Sequence, residues 1–375
     1  MSNYLVINRT ISPTNLVNGS HVWTSARLLI PGISKRPLLL GRGNQTMSTR
    51  STLFNGLVEI GVEPICENLK YDCCEEDLTY IRNVAEKNHC DGIIAAGGGK
   101  VLDAGKLLAN RMDIPSVTVP LSASTCAGWT ALANIYSPTG AFIRDESLKR
   151  CPELIIFDHQ LVRQAPKKTL ASGIADALAK WYEASLSVGE SDNGLVQQAV
   201  QMARVLRDQL FLNGKTALDN PNSNEWVIVA EGCALTAGLI GGIGGPRCRT
   251  AAAHAIHNGL TQLQSEHISL HGEKVGYGIL IQLRLEEKIT GNKLAGQARK
   301  QLYRFLEELN LPISLKDLGL KNNSLKGLKE LCNFACKDGS DIHNLPFKIT
   351  PELLLEEIIK AEKEISPKKI DSLQR

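Results

Sequence analysis

Gly92-Ile93-Ile94-Ala95-Ala96-Gly97-Gly98-Gly99-Lys100-Val101-Leu102-Asp103-Ala104-Gly105-Lys106 reads as a strand, a turn and the start of a helix. An apolar run bounded by glycine is a buried strand candidate, and residues 101–110 carry a helical period. Three glycines between them let the backbone approach a pyrophosphate, and the helix N-terminus adds N–H donors and a favourable dipole. The stretch is neither a Walker A loop nor a G-x-G-x-x-G fingerprint. A tight turn without a ligand is the plain alternative.

Working outward, Pro37-Leu38-Leu39-Leu40-Gly41, Ser116-Val117-Thr118-Val119-Pro120 and Leu154-Ile155-Ile156-Phe157-Asp158 repeat the short apolar run. Residues 57–61 fit a strand or a helix end, and residues 77–87 are helical. Strands alternating with helices at this spacing predict parallel pairing in an α/β sheet. From Pro166, a residue suited to a first helical turn, strand signals become few. Helices are predicted over 165–187, 191–210, 224–239, 251–263, 272–289, 294–309 and 351–364, with a frayed polar tail over 365–375. The expected architecture is an α/β N-terminal nucleotide-binding domain, residues 1–160, and an all-α C-terminal domain, residues 161–375.

At 375 residues the chain is long for one core, which favours two domains. Its net charge of +3 is small and scattered, which argues against nucleic acid as a partner. Residues 1–6 lack the basic and apolar regions of a signal peptide, and no stretch approaches the length of a membrane helix. A cytoplasmic chain with reduced thiols is therefore expected. Neither Cys73-Cys74 nor the Cys332/Cys336 pair has the partners of a structural zinc site.

The chemistry concentrates in the second half. His254 and His257 stand one turn apart in Ala251-Ala252-Ala253-His254-Ala255-Ile256-His257-Asn258-Gly259, with Arg249 just upstream. His271 and Glu273 open the next helix. Asp176 interrupts the apolar run 174–178, where a carboxylate needs a partner. A carboxylate with two imidazoles is the ligand set of an open divalent-metal site. The bland reading makes each a hydrogen-bonded polar group at a helix contact. Lys180 shares a helix face with Asp176. Either Lys180 or Arg249 suits a substrate carboxylate, arginine through two parallel hydrogen bonds. Arg42 follows an early strand, where NAD-binding folds usually place an acid; it points to a 2′-phosphate and NADP(H), or is simply a surface arginine.

Together these segments resemble the iron-containing alcohol dehydrogenase superfamily, which shares its fold with dehydroquinate synthase, and most closely its glycerol-dehydrogenase-like branch. The carrying residues are 97–106, 172–183, 254–259 and 271–275, with a further stretch at 345–352. The resemblance implies an NAD(P)-dependent oxidoreductase with its active site between the two domains. It places one divalent metal, zinc ahead of iron, on Asp176, His254 and His271. His257 and His267 fall off the ligand positions, and His257 is left as a flanking or proton-relay residue. Gly97, Gly98, Gly99, Lys100 and Asp103 take the cofactor pyrophosphate motif, and Thr118, Ser122 and Thr125 the nicotinamide side.

One departure bears on the substrate. Glycerol dehydrogenases of this branch read Ser-Thr-Asp where this chain reads Ser124-Thr125-Cys126. Losing that carboxylate removes a hydroxyl acceptor. Cys126-Ala127-Gly128-Trp129, with Lys180-Trp181-Tyr182-Glu183, resembles the hydroxycarboxylate dehydrogenase subgroup, which reduces 2-oxo acids with a preference for NADPH. The expectation is hydride transfer between a 2-hydroxy acid and a 2-oxo acid, with Cys126, Lys180 and Arg249 at the substrate. Glycerol oxidation is the first alternative and a dehydroquinate-synthase-like lyase the second. The expected partners are a small-molecule substrate and further copies of the chain, with neither nucleic acid nor membrane.

Overall fold

Apolar runs buried on both faces form the centre of a parallel sheet in the computed structural model, which describes residues 9–189, 191–263, 269–320 and 324–372. Residues 1–6 and His267, read above, lie outside the described residues. The strands are β1 (Asn15–Gly19), β2 (Pro37–Arg42), β3 (Ile65–Leu69), β4 (Gly92–Gly97), β5 (Ser116–Pro120), β6 (Leu132–Tyr136), β7 (Phe142–Ser147) and β8 (Leu154–Asp158). Six pair in parallel in the order β1-β8-β5-β4-β2-β3. β4, β5 and β8 are buried throughout and β2 up to Arg42, as strands covered on both sides must be. The edge strands β1 and β3 carry Asn and Glu with alternating burial, so no apolar run announces them. β6 and β7 form a separate antiparallel hairpin whose second strand reads Phe-Ile-Arg-Asp-Glu-Ser. Leu57 and Val58 close the helix Met47–Val58, which resolves the ambiguity there in favour of a helix end.

The strand order positions the site. From β2 the chain steps outward to β3, then returns to β4 on the other side of β2. Reversal of strand order opens a crevice beyond the carboxyl ends of β2 and β4, the place where such sheets bind ligands. Arg42 ends β2 and Gly97 ends β4, so both face that crevice.

Beyond Asp158 the described residues are helical or irregular. The main helices are Lys167–Ser187, Gly194–Asp219, Ala252–Leu260, His271–Thr290, Lys293–Glu308, Leu325–Ala335 and Pro351–Ser372. The last runs on to Ser372, where fraying was expected from 365. One expectation is corrected outright. Residues Asn224–Gly244 form a continuous 21-residue helical run with a mean hydropathy of 1.7, long and apolar enough to cross a membrane. Two thirds of it is buried in protein, where Val229, Ala230, Ile240 and their neighbours join the core of the helical half. A π-helical turn, Gly232–Thr236, interrupts it. Such turns often accompany functional sites, and Ala237 and Gly241 just beyond it line the cleft described next.

Candidate metal and cofactor site

Helix Lys167–Ser187 is buried along most of its length, and three of its buried residues are charged: Asp176, Lys180 and Glu183. Their spacing of four and three residues puts them on one face. The helix beginning at His271 is brought against that face by Gly272. Its N–H donates to Ser172 Oγ at 3.1 Å. A Cβ on Gly272 would fall onto the Ser172 carbonyl oxygen, with the carbonyl carbon only 2.7 Å away. Gly278 does the same one and a half turns on, where a Cβ would meet the Ala253 carbonyl carbon at 3.0 Å. Glycine at these two contacts lets three helix backbones close on one point.

At that point Asp176 Oδ1 lies 3.4 Å from His254 Nε2 and 3.3 Å from His271 Nε2. One donor atom from each residue falls within 4.8 Å of the others. Asp176 Oδ1 is buried and has no hydrogen-bond partner. A tetrahedral ion with ligands at ~2.0–2.1 Å holds them about 3.4 Å apart, so the spacing and the orphaned oxygen both fit a divalent metal. Burial pushes the Asp176 carboxyl up, yet the adjacent imidazoles, His271 first and then His254, hold it well below the usual carboxylate range.

Glu183 completes the arrangement, and no role was read for it in the sequence. It is fully buried, accepts the N–H groups of Ala251 and His254 at 2.7 and 3.0 Å, and lies 2.6 Å from His254 Nδ1. A proton on Nδ1 directed at Glu183 leaves the Nε2 lone pair facing Asp176, as a metal-binding histidine requires. Burial opposes charge on His254, but Glu183 and Asp176 outweigh it and raise its pKa to about 9. At neutral pH the ring therefore carries a second proton, on Nε2, which a metal ion must displace to bind there. We expect Glu183→Gln to lower metal affinity roughly 10–100-fold while the protein stays folded, read by competition with a chelating dye. Unchanged affinity would remove Glu183 from the account.

His257 does not join the trio. Its Nδ1 pairs with Asn258 Oδ1 at 2.9 Å, and its ring packs 4.1 Å from the His271 ring. Burial, then the nearby charges of His271 and Lys274, hold it well below the ordinary histidine range.

A cleft of about 730 Å³ runs from the trio to the carboxyl end of the sheet. Gly97, Gly98 and Gly99 line it, and the helix Gly99–Met112 has no acid in its first turn to oppose an anion. Ser122, Thr125 and Cys126 face the same space, as does exposed Arg42 at its far end. Lys100 also lines the cleft, but its ammonium is paired with Asp72 and lies over the Tyr136 ring. Asp103 is paired with Lys106 at 3.1 Å and accepts the Asn134 N–H, tying the glycine-loop helix to the hairpin. Thr118 stands behind the cleft wall. It is fully buried, donates to the Gly128 carbonyl at 2.8 Å and is absent from the cleft lining, so it braces the 121–129 loop from behind. Lys180 and Arg249 both reach the cleft near the trio. Lys180 Nζ donates to the Arg249 carbonyl at 3.1 Å, and Arg249 Nε to that of Gly241 at 3.3 Å.

Residues 13–159 match the family model of iron-containing alcohol dehydrogenases. An uncharacterised oxidoreductase of Synechocystis is 53% identical over 76% of this chain and 74% of its own. Hydroxycarboxylate dehydrogenase A of Escherichia coli is 32% identical over 77% of this chain and 80% of its own. The chain belongs to the iron-containing alcohol dehydrogenase family. Its place is in the glycerol-dehydrogenase-like branch. Glycerol dehydrogenases of several bacteria match at 29–34% identity. The crystal structure of the Schizosaccharomyces pombe glycerol dehydrogenase superposes with a TM-score of 0.83 at 26% identity, covering 96% of this chain and 91% of that one. As a member of this family the protein is an alcohol-type oxidoreductase, which displaces the lyase alternative.

Proposed function

We propose that this protein interconverts a small 2-hydroxy acid and its 2-oxo acid by hydride transfer with NADP(H), with a divalent metal, zinc ahead of iron, held by Asp176, His254 and His271. Family membership brings a nicotinamide dinucleotide and a divalent metal. The observation that carries the substrate is the company kept by the trio: Lys180 and Arg249 line its cavity, and Cys126 stands beside them in place of a carboxylate. Burial pushes the Cys126 thiol up, so this wall adds no negative charge. A cavity with two cations suits an acid substrate, and arginine can bind it through two parallel bonds.

The metal, when bound, supplies Lewis-acid polarisation of the substrate oxygen. The chain supplies position and charge. Glu183 fixes the His254 ring, and Arg249 and Lys180 hold the acid end. The Gly97–Gly99 turn would hold the pyrophosphate, Arg42 would pair with a 2′-phosphate, and Ser122 and Thr125 would line the nicotinamide side. His257, kept neutral, packs behind His271 and orients it. We place the division between the cofactor half and the metal half near residue 160. Between them the cleft walls keep water from the transferring hydride.

Glycerol oxidation is the second reading, favoured by the glycerol dehydrogenases among the relatives. Initial rates of NADPH and NADH oxidation with short 2-oxo acids, set against NAD⁺ reduction with glycerol, separate the two. We expect NADPH-dependent reduction of the acids, with KM for the acid rising at least about tenfold in Arg249→Ala as a charge-assisted contact is lost. Turnover with glycerol alone would favour the second reading.

A further inference from the structure

We infer that Asp341 accepts a hydrogen bond from a substrate hydroxyl, so that the preferred 2-oxo acid carries a hydroxyl group beyond its carbonyl carbon. The inference rests on the proposed acid substrate for its orientation. Asp341 opens a short 3-10 turn, Asp341–Asn344, and lines the same cavity as Cys126, Lys180, Arg249 and His254. The turn is firmly seated. Ile342 is 1% exposed in the core behind it, Ser340 caps it, and Asn344 Nδ2 donates to the Thr250 carbonyl at 3.1 Å. Asp341 is therefore held at the cavity wall, next to the helix that carries His254.

Its own hydrogen bonding is incomplete. The carboxylate is half-buried, and the Thr250 side chain hydrogen-bonds to it. Among the described residues no Lys, Arg or His forms an ion pair with it; Lys180 and Arg249, which line the same cavity, direct donors at the carbonyls of Arg249 and Gly241. An ionised carboxylate has about four lone-pair sites, and the Thr250 hydroxyl takes one of them. The cavity thus offers two features of opposite sign. A substrate carboxylate is repelled by Asp341 and drawn to Arg249 and Lys180. A hydroxyl on the same molecule finds its acceptor in Asp341. The acceptor missing at Cys126 is replaced from a different element of the fold.

The test compares hydroxypyruvate with pyruvate as substrates of the metal-loaded enzyme, with NADPH, in the wild type, Asp341→Asn and Asp341→Ala. We expect the wild type to favour hydroxypyruvate in kcat/KM by about tenfold, the scale of one well-placed polar contact. In Asp341→Ala that ratio should fall to within about twofold of unity, chiefly through KM, and Asp341→Asn should retain part of it because the amide oxygen still accepts. A merely structural role would slow both substrates together and leave the ratio in place. A wild type without the preference, or an Asp341→Ala enzyme that keeps it, overturns the inference. Turnover of glycerol but of neither acid overturns the acid reading separately. The ratio of glycerol to 1-propanol then replaces the first ratio, and its persistence in Asp341→Ala overturns the role of Asp341.

Discussion

Asp176→Ala is expected to purify folded, to carry less than a tenth of the wild-type metal and to turn over about a thousandfold more slowly, the rate equivalent of ~4 kcal/mol of lost transition-state stabilisation. The argument is local. Asp176 contributes the one carboxylate of the trio, and its Oδ1 is buried without any hydrogen-bond partner, 3.3 and 3.4 Å from two imidazole nitrogens. Two neutral imidazoles without the carboxylate offer neither the charge nor the third ligand that fixes an open tetrahedral site. Asp176→Asn keeps the volume while removing the charge, so it separates the ligand role from packing. Elemental analysis, kcat and dinucleotide binding by fluorescence would be measured together. Dinucleotide binding should survive, because the glycine turn and Arg42 belong to the sheet and contribute nothing to the trio. Full metal content with a wild-type rate would remove Asp176 from the chemistry.

Gly272→Ala should be the most damaging small substitution outside the ligand set. The added Cβ collides with the backbone carbonyl of Ser172, and backbone, unlike a flexible side-chain end, has nowhere to move. Overpacking of this kind costs about 3 kcal/mol or more. On a chain of this length that corresponds to a fall in melting temperature of at least ~5 °C. His271 is the adjacent residue, so any retreat of the helix draws it away from Asp176, and metal should be lost along with stability. Gly194→Ala is the control. It also begins a helix, but a Cβ there meets nothing within 4 Å. Melting curves in the presence of metal would show the Gly194 variant within about a degree of the wild type, as a surface substitution should be. Equal melting points for both variants would mean that the helices do not close on each other as described.

These contacts also show what the sequence could and could not convey. The central strands were legible because burial on both faces demands unbroken apolar runs, as in Ile93 to Ala96 and Leu154 to Phe157. The edges β1 and β3 were not, since a half-exposed strand tolerates Asn18 and Glu67. Asp176 stood out as a charge in an apolar helix, and the histidines by their resemblance to known motifs. Glu183 went unread: it stands seven residues after Asp176 on one helix, a spacing that only a partner on another helix gives meaning. Asp341 left none, because it reaches the cavity from a short turn far along the chain. A polar residue in a fully buried strand, such as Thr118, does not reveal in the sequence whether it faces a ligand or a loop carbonyl. Lys100 lines the cleft paired with Asp72, a partner 28 residues away in the chain that the sequence did not announce.

The most direct test is the rate of NADPH oxidation by a 2-oxo acid, measured on one preparation as purified, after chelation, and after reloading with zinc. The account predicts that chelation abolishes the rate and that zinc restores it, with Asp176→Ala about a thousandfold slower than the wild type even after reloading. A chelated, demonstrably metal-depleted enzyme that still reduces the acid at the original rate would contradict it.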